Sequence, residues 1–122
     1  MSQKKYYIDD FKVRNCTQYG EYEIIDNLIS GDEVWIEYDA DEKVIIVNGP
    51  MKNKRTRVVI GQKQIGELEV PEQMRKILVP LLQGKYGYQP FVCKINIADK
   101  KVVINERLQV SVWAANGEAG ND

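Results

Sequence analysis

Glu33-Val34-Trp35-Ile36-Glu37-Tyr38-Asp39-Ala40-Asp41-Glu42-Lys43-Val44-Ile45-Ile46-Val47 is the stretch on which the fold class turns. In its first part Val34, Ile36 and Tyr38 alternate against Trp35, the period of a strand with two unlike faces. Its last part is a nearly continuous β-branched run, which packs well on a pleated surface. Between them, 39–42 is polar and suits a tight turn, so the two runs are expected to pair as an antiparallel hairpin.

Working outward, Asn48-Gly49-Pro50 is expected to break the second strand. Residues 51–56 then read as an exposed basic loop or hairpin tip, and 57–60 and 64–68 as two short strands around Gly61. Residues 6–13 can start a strand, with Phe11 and Val13 on one face. Strand signals return at 91–97 and 101–105, joined by Ala98-Asp99-Lys100, and again at 107–113, where Leu108, Val110 and Val112 alternate. One helix interrupts them. Pro71 and Glu72 suit its first turn, Met74, Ile77, Leu78, Leu81 and Leu82 recur at helical spacing, and Gly84 marks its stop. These five should form a core-facing stripe, and Pro80 should kink or break the helix. A short helical turn is expected near 22–29.

The sum is a mainly β protein: a small OB-like, closed or half-closed barrel of about six or seven short strands, with one late helix at about 71–83. A single domain is expected over 1–114, followed by a disordered tail at 115–122. At 122 residues such a domain buries roughly two-thirds of the surface its unfolded chain exposes.

The charge pattern is uneven. Residues 20–42 hold nine acids and no Lys or Arg, whereas 43–63 hold six bases (Lys43, Lys52, Lys54, Arg55, Arg57 and Lys63) and no acid. The formal net charge of -1 conceals this. A basic segment of that density is a candidate for phosphate contacts.

The chain has no histidine, which removes imidazole general acid/base chemistry, His-dependent nucleophile pairs and imidazole zinc sites. No Gly-x-Ser-x-Gly elbow and no Gly-rich phosphate loop occurs. Cys16 and Cys93 stand in no metal-type spacing and read as free thiols. No enzyme activity and no cofactor or metal are expected. With no apolar run long enough for a bilayer and no apolar segment after Lys4-Lys5, a cytoplasmic location without membrane contact is expected.

The order of segments resembles the HIRAN domain, a modified OB-like barrel found in stand-alone bacterial proteins and fused to helicases. Gln18-Tyr19-Gly20 looks like that family's aromatic turn, and Leu28-Ile29-Ser30-Gly31-Asp32-Glu33-Val34 is similar to its Leu-x-x-Gly-Asp-x-Val. Tyr38-Asp39 followed by Val44-Ile45-Ile46-Val47, then Ile65-Gly66-Glu67-Leu68, resemble two further stretches, and the helix follows in the family position. The resemblance covers about residues 11–97. It implies DNA binding, at ends or on single strands, in the setting of DNA repair. On that footing Tyr19 stacks on a base and Tyr38 and Asp39 line the pocket; the basic cluster Lys52, Lys54, Arg55 and Arg57, with Lys63 nearby, independently supports phosphate contacts. Glu67 and Glu69 depart from the family, which often carries Tyr or His and then bases after the Ile-Gly pair. The alternative function is a protein-interaction or adaptor module that keeps the barrel without the DNA pocket. In that case the acidic and basic halves could join two copies into a homodimer.

Overall fold

The computed structural model of the chain describes residues 5–83, 91–97 and 108–115. The deciding stretch forms the expected hairpin. Strands β2 (Glu33–Asp39) and β3 (Val44–Lys52) pair with Ile36 opposite Val47 and Tyr38 opposite Ile45. Asp39 makes the turn: its Oδ1 accepts the N–H groups of Asp41 (3.0 Å) and Glu42 (3.1 Å), an Asx turn. Val34 and Ile36 are buried, and Tyr38 packs against the core at the end of their row.

Beyond this hairpin two expectations fail. Asn48-Gly49-Pro50 does not end β3, which runs on to Lys52, and Gly61 does not split β4 (Val59–Glu69), which is one long strand. The β2–β3 ladder stops at Trp35 opposite Asn48, so from Gly49 onward β3 has only β4 beside it. On such an edge a proline removes no needed ladder bond. The irregular sequence is absorbed by two register shifts, at Val47/Asn48 and at Met51/Lys52. Gly49 is needed where it stands, because a Cβ there would lie 2.9 Å from Ile65 Cδ1 and 3.2 Å from Ile24 Cγ2.

Strand β1 (Lys5–Arg14) closes the structure. It pairs with β4 at Arg14 opposite Glu67 and, along most of its length, with β6 (Leu108–Ala115). Strand β5 (Phe91–Ile97) joins β6 to β2, completing a closed antiparallel barrel in the order β1-β4-β3-β2-β5-β6. Its interior is filled by Phe11, Val13, Ile36, Ile45, Val47, Ile65, Leu68, Ile95, Val110 and Val112, among others. Each such side chain contributes roughly 1.5–3 kcal/mol through burial. Cys16 and Cys93 are both buried and free, and burial pushes the Cys93 thiol up to about 12. Ala115, which the sequence places in a tail, belongs to β6.

Helix α1 (Cys16–Tyr19) was not foreseen; it is bounded by Asn15 (φ 60) and Gly20 (φ 69), residue types that tolerate the left-handed region. Helix α2 (Tyr22–Asp26) falls within the expected helical turn. Helix α3 (Glu72–Leu82) follows Pro71, whose carbonyl accepts the N–H of Met74 and of Arg75 at 2.9 Å. Pro80 sits in its last turn and does not break it, since few hydrogen bonds remain beyond that point to lose. The apolar stripe of α3 is narrower than expected: Leu78 is buried and Met74 and Leu82 pack on the core, but Ile77 and Leu81 are exposed. The expected strand at 101–105, the turn at 98–100, Gly84 and the tail from 116 lie outside the described residues. Among the described residues no helix is long and apolar enough to cross a membrane.

Candidate functional site

Two separate surfaces carry the residues singled out in the sequence. The first lies where α1, β4 and the β2–β3 turn meet. Glu67 on β4 is buried, and its carboxylate is fully engaged. Oε1 accepts Asn15 Nδ2 at 2.9 Å and faces Arg14 Nε at 3.7 Å, while Oε2 accepts the Tyr19 hydroxyl at 3.1 Å. Tyr19 is pushed up to about 12 by burial first, then by the hydrogen bond to Glu67 and the negative charges of Glu67, Asp39 and Glu42. Tyr19 and Asp39, twenty residues apart in sequence, therefore share one neighbourhood. Tyr38 is adjacent along β2, but it is partly buried against the core rather than presented as an open face. Glu67 has a role that the sequence did not show. It is the hub that fixes Tyr19, and Arg14 answers part of its charge. Its partners come from β1 and the β1–α1 junction; the left-handed Asn15 and the Gly after Tyr19 were the only local signals of that junction.

The second surface is a ribbon made by the ends of β3 and β4. Its tip is tightly built: Asn53 N–H donates to Val58 O and Arg57 N–H to Asn53 O, both at 2.8 Å. Asn53 Oδ1 accepts the N–H groups of Arg55 and Thr56, and Arg57 takes φ 64. A groove of about 490 Å³ runs beside the ribbon, lined by Glu21, Glu23, Lys52, Lys54, Arg57 and Lys63 with Ile24 and Ile60. Here the acidic and basic segments meet within one molecule. Lys52 Nζ lies 2.6 Å from Asp32 Oδ2, Lys54 Nζ 3.2 Å from Glu23 and Lys63 Nζ 3.7 Å from Glu21. Lys52 also reaches the Asn27 carbonyl at 3.3 Å, and its side chain is only 12% exposed. It is a strut between β3 and the α2–β2 connection rather than part of an exposed loop. Arg55 and Arg57 have no acidic partner among the described residues.

These surfaces stand apart. Strand β3 covers roughly 25 Å from Val44, opposite Asp39, to Lys52, at ~3.3 Å per residue. The structure thus brings Tyr19 and Asp39 together beside Tyr38, and gathers Lys52, Lys54, Arg55, Arg57 and Lys63 at the other end of the β2–β4 meander. Among the described residues no group of three or more Cys, Asp and Glu side chains is arranged to hold a metal ion. A scan against known protein families, curated proteins and solved structures finds no match for this chain.

Proposed function

We propose that this chain is a nucleic-acid-binding module, without catalysis of its own, that takes a single-stranded terminus at the Tyr19 end of the barrel. The observation that carries this reading is the convergence of Tyr19, Asp39 and Glu67 from three separate segments. The hydrogen bond to Glu67 holds the Tyr19 ring in place, and an aromatic face stacks on any base for ~1–3 kcal/mol. Asp39 Oδ2 has no hydrogen-bond partner among the described residues, so it is open to a donor. Carboxylates accept hydrogen bonds from sugar hydroxyls and base amines but repel phosphate. The terminus that suits this end therefore finishes in a free hydroxyl. Phosphates further along the strand fall to Arg55 and Arg57, and a barrel of this type covers about 4–16 nucleotides, enough to bridge the two surfaces.

Fluorescence anisotropy with labelled single-stranded and blunt duplex oligonucleotides, ending in hydroxyl or phosphate, tests the reading across a salt series. Single strands ending in hydroxyl should bind most tightly. Tyr19→Ala and Asp39→Asn should each weaken them, and Arg55→Glu with Arg57→Glu should flatten the salt dependence by about two slope units. Absence of binding at low salt for every oligonucleotide removes the proposal. A protein-binding adaptor is the second reading, favoured by the internal ion pairs that cancel much of the basic cluster.

A further inference from the structure

Strand β4 has two neighbours at one end and one at the other. At Glu67 and Leu68 it lies between β3 and β1, but over residues 59–64 it pairs with β3 alone. The other edge of this stretch, about the length of a typical strand, presents backbone N–H and C=O groups with no partner strand among the described residues. Proteins usually blunt such an edge with prolines, charges, bulges or a covering element; the one bulge within 59–64 is the register shift between Val59 and Gly61, which leaves Ile60 out of the ladder with β3. Here the only charge on the stretch is Lys63, held by Glu21. Its apolar residues face water instead: Val59 is 47% exposed and Ile60 65%, continuing from Val58 just before the strand at 60%. The Asn53 network fixes the tip, so the edge is preorganised and costs little ordering on binding.

We infer that residues 59–64 form a strand-addition site for an extended, acidic and apolar segment of a partner protein. Main-chain bonds to the open edge supply the register, and side chains alternate between the two faces of the lengthened ribbon. Val59 and Ile60 receive apolar residues; Arg55 and Arg57, the two bases of the tip with no acidic partner among the described residues, receive carboxylates. A second copy of this edge fits poorly, because Val59-Ile60-Gly61-Gln62-Lys63-Gln64 contains no acid and brings its own Arg55 and Arg57. The inference rests on β4 and holds whether or not the Tyr19 end takes nucleic acid, with which the segment would compete only at Arg55 and Arg57.

The full chain, isotopically labelled, is titrated with a capped peptide of alternating Glu and Val, with its Lys-Val counterpart, and with a Glu-Val peptide N-methylated at every second residue. With the Glu-Val peptide the expected result is slowed amide exchange confined to 59–64 and shift changes confined to 55–64, Arg55 and Arg57 included. Binding should be roughly tenfold weaker with Lys-Val, as reversing several exposed ion pairs implies. It should be lost on methylation of the bonding amides and in Ile60→Asp, which removes an apolar contact and repels the acidic peptide, a change at an exposed position that leaves the barrel folded. Equal binding of the two charge patterns overturns the inference, as does a shift pattern elsewhere. So does protection of 59–64 that grows with protein concentration alone, which would mark self-association, or displacement of the peptide by an oligonucleotide bound to those same amides.

Discussion

The two halves of β4 reverse the usual relation between side chain and solvent. In its first half Ile60 is 65% exposed, while in its second half Glu67 is 8% exposed. Both follow from neighbours. The second half lies between two strands and under α1, where Asn15, Tyr19 and Arg14 give a buried carboxylate its partners. The first half extends past the barrel wall, where nothing described covers an isoleucine. Burial is therefore a property of position in the sheet, and residue type only biases it.

The sharpest way to break this contrast is to add one methyl group to each half. Gly66→Ala places a Cβ 2.6 Å from Val13 Cγ1 and 3.0 Å from the Arg14 carbonyl oxygen, a clash with backbone. It should cost roughly 3 kcal/mol in urea denaturation. Gly61→Ala meets only Met51 Sδ at 3.5 Å and should shift stability by less than about 0.5 kcal/mol. Equal effects would mean that the halves are packed alike.

Next in size is the strut at the root of the ribbon. Lys52→Met leaves Asp32 without its cation in a largely enclosed site, and about 2 kcal/mol should be lost. Lys54→Met removes an ion pair whose side chains are 86% and 71% exposed, and thermal unfolding should barely move.

Glu67→Gln tests the buried half through its chemistry. It weakens the anchor of Tyr19 and should cost about 1 kcal/mol. The tyrosinate titration, followed by ultraviolet absorbance, should move part of the way back from about 12 toward the ordinary 10.0, since burial remains the larger cause. The pH dependence of folding has a definite sign. Tyr19 and Cys93 both hold their protons more tightly folded than unfolded. The stability they contribute is present below their ordinary values of 10.0 and 9.0 and is lost as pH rises from about 9 toward 12. A flat profile there would refute that coupling. Smallest of all, Ile60→Thr should change stability by less than about 0.5 kcal/mol; a larger loss would mean that the edge is already covered.

What could be read in advance follows the same division. The β2–β3 hairpin, β5, β6 and α3 are set by local alternation, by the Asp39 turn and by Pro71, all written in consecutive residues. The long ribbon was misread because Gly49 and Pro50 look like breakers unless it is known that the β2–β3 ladder stops at Asn48 and that Ile24 needs the space over Gly49. At the candidate site Tyr19 and Asp39 were chosen from motif order, and they do lie close together. The role of Glu67 was not legible because its partners lie 48 to 53 residues earlier in the chain. The charge reversal was visible as two blocks, but that the blocks neutralise each other is a fact of three dimensions.

The two buried thiols give the barrel a pair of internal clocks. Cys16 opens α1 and packs against Gly66, and Cys93 lies in β5 opposite both Val34 and Val112. Neither sulfur can meet a thiol-specific reagent until its own sector opens. Labelling rates at the two positions therefore time the loosening of the α1 seam separately from the parting of β5 and its neighbours, with no engineered probe in the chain.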